Sequence, residues 1–274
     1  MLSLYLKSVG VVAPGINNWN EAIEIFKQPE NYVPLPVAKK LETLLPANER
    51  RRAARVTQLA LYAAQQTGAP ETIKHCLQIF SSAHGDVNTF HQISLALAMP
   101  GRPVSPTRFH NSVHNAPAGY WSIATQSQTA STSITADLDS FSTGLLEAAV
   151  QLNAPDNYQG RDCLLVSYDE IPPEAFQSLI NTSAEFACAL RLSRDHIKGS
   201  VIARLDINLS DNCTPARKLA NDSLEQLRHS NPQAQVLPLL EAVALQLSDT
   251  IRLDYFEQCL EIKVTPLAAT LHEQ

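Results

Sequence analysis

STSITADLDSFSTGLLEAAVQL, residues 131 to 152, joins a run of small and β-branched residues to an amphipathic run across a short acidic turn. Thr132, Ser133, Ile134, Thr135 and Ala136 have side chains that suit a pleated strand, while Leu145, Ala148, Ala149 and Leu152 recur at the spacing of one helix face. Asp137, Leu138, Asp139 and Ser140 turn one into the other, and Asp or Ser at such a junction accepts hydrogen bonds from the amides that open a helix. Gly144, inside the helix, costs about 1 kcal/mol relative to alanine and calls for a reason such as close approach of a neighbouring element. A strand, a tight turn and a helix N-terminus is also where some enzymes hold a nucleophile, which makes Ser140 a candidate. The plainer account is that Ser140 and Asp139 cap the helix, and the carboxylates of Asp137 and Asp139 would oppose an oxyanion beside them.

Outward from this unit, strands and helices alternate. Residues 5–12 read as a first strand ended by Pro14-Gly15, followed by a helix capped by Asn17 or Asn18 with Trp19, Ala22, Ile23 and Phe26 on one face. The proline-rich residues 28–47 are a connection. A helix is expected over 50–67, a buried strand over 75–81, a helix over 87–98, loop over 101–115 because of Pro103 and Pro106, and a helix over 116–125. Downstream, 163–168 reads as a buried strand, 184–192 and 200–209 as a strand pair around a polar turn at 193–199, 215–229 and 235–248 as helices, and 250–264 as one closing strand. The alternation gives a layered α/β fold, read as a single domain over residues 1–274.

The formal net charge of −6 argues against a nucleic-acid surface, which needs clustered Lys and Arg. Arg50-Arg51-Arg52, with Arg55, is the one basic run, read as the solvated end of a packed helix. The N-terminal MLSLYLKSVGVV lacks the basic flank and apolar length of a signal peptide or membrane span, so a cytoplasmic protein is expected, without membrane insertion. Five cysteines, scattered and never spaced as CxxC, read as buried thiols. With nine glycines in the chain and only Gly199 after Gly160, no phosphate-binding loop, dinucleotide fingerprint or GxSxG turn can be drawn, and no cofactor is expected. His110 and His114, with His84 as a third, have a metal-like spacing if helical. The prolines and the lack of an acidic partner argue against it, and no metal is assigned.

Three stretches taken in order carry a resemblance: Ser105-Pro106, then NSVHNAPAG (residues 111–119), then STSITAD (residues 131–137). Together with YLKSVGVVAPG, IFSSAHGDV and CLLVSYDE in matching order, they resemble the N-terminal half of the β-ketoacyl synthases over roughly residues 3–208. The resemblance implies the thiolase-like layered α/β/α fold, in a truncated form with 209–274 as a divergent extension. Two departures from the family pattern bear on function. The family's nucleophilic cysteine at the helix N-terminus is replaced by Leu138-Asp139-Ser140, and a serine without an adjacent base is a poor substitute for a partly ionised thiol. The histidine-bearing glycine loops of the family's second half have no counterpart.

A relative of this kind is similar to a chain-length factor, the non-catalytic subunit of a ketosynthase heterodimer, and the SPT-F-NSVHNA-AG-WSI wording is similar to proteins of bacterial aryl polyene pathways. The resemblance implies an active ketosynthase as partner and an acyl carrier protein met indirectly, through that partner. It also implies that Ser133, Ile134 and Thr135, on the strand before the turn, lie toward the partner, and that Thr107, Arg108 and Phe109 reach its acyl tunnel; Gly144 is expected to set the helix close against a neighbouring strand or against the partner subunit. The competing reading is an acyltransferase or thioesterase using Ser140 as nucleophile.

Overall fold

In the computed structural model, the structure describes residues 1–154, 160–196, 201–211, 213–214 and 217–267. The chain runs through β1 (Leu2–Val12), α1 (Trp19–Lys27), α2 (Ala47–Arg52), α3 (Arg55–Gln65), α4 (Pro70–Ile73), β2 (Leu77–Ser81), α5 (Val87–Ala98), α6 (Pro106–Asn111), α7 (Ala116–Thr125) and β3 (Ser131–Ile134). It continues through α8 (Ser140–Asn153), β4 (Cys163–Asp169), β5 (Phe186–Ser193), β6 (Ala203–Ser210), α9 (Asp222–Ser230), α10 (Leu237–Ala244), β7 (Asp249–Tyr255) and β8 (Gln258–Pro266). The eight strands form one mixed sheet in the order β3-β2-β4-β5-β1-β6-β8-β7. β3, β2 and β4 run parallel, and every other pairing is antiparallel.

Side chains that alternate along the central strands feed two cores. From β4, Cys163 and Leu165 point into one core with α1, α8 and α10, while Leu164, Val166 and Tyr168 point into the other with α3 and α7. Burial on both faces explains why β4 reads as an unbroken apolar run. β6, β8 and β7 contribute only to the first core. Their other face carries charge, with Arg204 paired to Asp206 and Arg252 to Glu261, so one side of that antiparallel half is solvated. This is the layered α/β fold expected from the alternation.

Several boundaries differ from the sequence reading. The helix expected over 50–67 is two, because Ala53 and Ala54 are extended and Arg55 is held by Glu185 through two hydrogen bonds of 2.7 Å. Part of the expected loop over 101–115 is the helix α6, opened by Ser105 as cap and Pro106 at its first position. β5 and β6 are not a hairpin: β1 inserts between them and pairs with both. The polar turn at 193–199 lies partly outside the described residues, as do 215 and 216 of the helix expected over 215–229, which opens at Asp222 behind the Asn221 cap. The closing strand over 250–264 is the hairpin β7–β8, turned at Phe256 with φ of 53°.

Gly144 faces its own sheet. A Cβ there would stand 2.9 Å from Leu165 Cδ1 and 3.1 Å from Ser81 Cβ, so α8 lies closer to β2 and β4 than a side chain permits. This places Gly144 in the packing of α8 against its own sheet, the neighbouring-strand alternative. Gly144→Leu is expected to cost the isolated chain about 1–3 kcal/mol or more through overpacking, read as a lower denaturation midpoint without any partner present.

Candidate functional site

β3 forms one edge of the sheet, and the chain leaves it into the acidic turn. Asp137 takes a left-handed conformation with φ of 49°, uncommon for a residue with a side chain. One turn of 3-10 helix, Asp137–Asp139, then leads into α8. Ser140 is completely buried, and both capacities of its hydroxyl serve the turn: Oγ accepts from the Ala136 amide at 2.9 Å and donates to the Asp137 carbonyl at 2.7 Å. A hydroxyl so engaged is a staple for the strained turn. Asp139 does not cap α8 with its side chain. Its carboxylate reaches away to accept from the Phe256 amide at 2.9 Å, so the tip of the β7–β8 hairpin closes over the turn.

Behind the turn, Ser81 donates to the Ser140 carbonyl at 2.6 Å and Thr135 Oγ1 to the Ala83 carbonyl at 3.0 Å. The loop containing Ala83 is held by Asp169, the last residue of β4, whose carboxylate accepts from Ser82 Oγ (2.7 Å), the Ala83 amide (2.9 Å), the His84 amide (3.1 Å) and Gln233 Nε2 (2.7 Å). Burial pushes the Asp169 pKa up, and its hydrogen bonds pull the other way. A cavity of about 220 Å³ lies beside the turn, lined among others by Leu138, Asp139, Ser142, His229 and Asp254. His229 in that wall is engaged by Glu225 at 3.1 Å. Glu225 is held down to about pKa 2, chiefly by its hydrogen bond from Arg228.

Of the other sequence candidates, those on β3 lie on this edge. Ile134 packs against the first core, Thr132 Oγ1 accepts from Gln151 Nε2 at 3.1 Å, and Ser133 Oγ is buried without a hydrogen-bond partner. Thr107, Arg108 and Phe109 lie on α6 and are exposed, Phe109 to 69%. Asn111 anchors this helix, donating to the Arg52 carbonyl at 2.7 Å and accepting from Tyr120 Oη at 2.9 Å. An apolar groove of about 430 Å³ runs between α6 and α7, lined by Phe109, Val113, Gly119 and Ile123 among others. The metal candidates do not converge. His110 stacks edge-on against Tyr120, His114 lies next to Gly85, and the His84 amide serves Asp169. Among the described residues, no group of three or more His, Cys, Asp or Glu could hold a metal ion, and no helix is long and apolar enough to cross a membrane.

Sequence reasoning missed the buried carboxyls beside the site. Glu170 follows Asp169 and is 7% exposed, with Oε1 unpartnered; Asp86, the cap of α5, faces it with Oδ2 also unpartnered. Burial pushes Glu170 up to about pKa 8, with Asn88 opposing and Asp86 and Glu185 adding to the rise; Arg55 also opposes it. Burial raises Asp86 as well. The folded chain therefore keeps a proton that the unfolded chain releases, a contribution complete below the ordinary glutamate range and lost as pH rises through the folded value. The melting temperature is expected to fall between about pH 5 and 8, and Glu170→Gln should flatten the profile measured by calorimetry.

Residues 18–253 match the β-ketoacyl synthase, N-terminal domain family. The match runs past 208 through α9, α10 and most of β7, which the sequence reading had set apart. The fold is similar to a chain from the complex of a ketosynthase (ApeO) with its chain length factor (ApeC) from Xenorhabdus doucetiae, with TM-score 0.71 and 22% identity over 96% of this chain and 100% of that one. It is also similar to the ishigamide ketosynthase/chain length factor, with TM-score 0.70 and 11% identity over 96% and 98% of the two chains. A β-ketoacyl synthase from Burkholderia phymatum STM815 aligns with TM-score 0.57 and 14% identity over 90% and 71%. No curated protein matches the chain.

Proposed function

This chain belongs to the β-ketoacyl synthase N-terminal-domain family, and we propose that it is a non-catalytic, chain-length-factor-like partner of an active β-ketoacyl-acyl carrier protein synthase. In this reading it stabilises a heterodimer, shapes the partner's acyl tunnel and works in aryl polyene biosynthesis. Acyl carrier protein then docks on the partner subunit. The observation that carries the proposal is the turn itself: where the resemblance aligns the family's nucleophile, the chain has a buried hydroxyl whose hydrogen bonds are spent on holding the backbone. A serine also needs a base to become nucleophilic, and the turn offers carboxylates that would repel an oxyanion.

The partner role draws support from the sheet edge. β3 is short and ends the sheet, leaving amides and carbonyls on one side open to another strand. The exposed Phe109, Val113 and Ile123 around the α6–α7 groove give apolar surface of the kind that subunit contacts cover. Two of the similar structures are ketosynthase and chain length factor assemblies by their own descriptions.

Coexpression with candidate ketosynthases from the same source tests the assembly: one of them should copurify with this chain, and a stable monomer that ignores every ketosynthase would weigh against the proposal. Arg108→Ala and Phe109→Ala are expected to leave the complex intact and change product length, read by mass spectrometry of the released chains. An unchanged product distribution would reduce the subunit to a stabiliser. Ser140→Ala should lower stability by about 1–3 kcal/mol, the cost of stranding buried hydrogen-bonding groups, without lowering the condensation rate of assembled complex. A lasting acyl adduct on the isolated chain, lost in Ser140→Ala, would instead establish the acyltransferase or thioesterase reading.

A further inference from the structure

β6 and β8 pair so that Ser210, which ends β6, lies opposite Cys259 near the start of β8. Cys213 follows three residues after Ser210 and its thiol returns to the same place. Cys213 Sγ is 3.7 Å from the Ser210 carbonyl oxygen, and Cys259 Sγ is 3.4 Å from that same oxygen. The two thiols thus converge on one carbonyl oxygen. One is exposed and the other buried, so the pair has a reagent-facing and an inward member. We infer that Cys213 and Cys259 are a redox-active pair that closes into an intramolecular disulfide, tying the segment after β6 to the β7–β8 hairpin.

The other three cysteines mark the contrast. Cys76, Cys163 and Cys188 lie in the cores, and burial pushes each thiol up, Cys76 to about 11. They are apolar side chains enclosed by the cores; burial pushes Cys259 up to about 11 as well, and what sets Cys259 apart is the exposed thiol of Cys213 beside it. Cys213 alone among the described cysteines meets solvent. A low-molecular-weight disulfide is the oxidant the pair requires. Cys213, as thiolate, attacks one of its sulfurs and releases the first small thiol, leaving a mixed disulfide. Cys259 then attacks Cys213 Sγ, forming the protein disulfide and releasing the second small thiol, which carries away the Cys259 proton. Two protein thiols are oxidised and one small disulfide is reduced to two thiols.

Oxidation would bear on the vestigial turn. Cys259 is three residues from Phe256, whose amide donates to Asp139, so a link at Cys259 restrains the strand leading to that clamp. A cross-link across a long chain segment also narrows the unfolded ensemble.

Oxidised glutathione added to the native chain tests the inference. The mass is expected to fall by two hydrogens with no glutathione retained, peptide mapping should join Cys213 to Cys259, and dithiothreitol should reverse both. Oxidation should raise the melting temperature and slow hydrogen exchange at the Phe256 amide in the wild type only. Cys259→Ser should instead keep a glutathione on Cys213, and Cys213→Ser should neither cross-link nor retain it. Stable glutathionylation of wild-type Cys213, a link between Cys76 and Cys163, or a disulfide joining two chains would each overturn it.

Discussion

At the end of β4 the Asp169 carboxylate collects four donors from two distant parts of the chain, three from residues 82–84 and one from Gln233. Each donor is buried or partly buried, and leaving one unsatisfied costs about 1–3 kcal/mol, so the geometry of both segments is fixed by one side chain. Asn231 adds to the tie from the other side, donating to the Asp169 and Ala184 carbonyls. The loop after β2 is thereby held where its Ala83 carbonyl can accept from Thr135, one step before the turn. The C-terminal part of the chain is thus fastened to the same point as the strands that carry the turn.

The turn before α8 is held by contacts from several parts of the chain. A left-handed Asp137 stores strain of order 1–3 kcal/mol, which persists only where surrounding contacts overdetermine it. Ser140 provides two of those contacts and Ser81 a third. Asp139, freed from capping, is the landing point for the hairpin tip. Within the turn, the Ser140 carbonyl is held from β2 by Ser81 and the Asp139 carboxylate from the β7–β8 hairpin by Phe256.

The strand, turn and helix of 131–152 were legible because each carries its own local signal: branched residues, clustered acids and a regular apolar stripe. Burial of β4 was legible for the same reason. What escaped depends on long-range contacts or on weak punctuation. α6 had a readable signal in Ser105 and Pro106, cap and first helical position, but prolines in number argued for loop. The turn at Phe256 has no glycine or asparagine to mark its left-handed residue, so β7 and β8 merged into one strand. That β1 separates β5 from β6 is a matter of topology, invisible to patterns that report only on neighbours in sequence. Asp169 and Glu170 stand in the sequence as ordinary polar residues ending a strand, and only the fold shows that both are buried.

The two edges of the sheet argue for different fates. β7 at one end alternates core residues Ile251 and Leu253 with Thr250, Arg252 and Asp254, and Arg252 is paired across to Glu261. Charges on an edge strand discourage another strand from adding to it. β3 at the other end has four residues, Ser131 to Ile134, and bears no charge. Nothing in its side chains repels a second strand, and the turn that follows it is rigidly held by Ser81, Ala83 and Asp139. A short strand is a poor aggregation template on its own but a well-defined one when its register is fixed by a strained turn on one side and a parallel neighbour, β2, on the other. The asymmetry leaves β3 as the sheet edge whose side chains set no charge against a further strand.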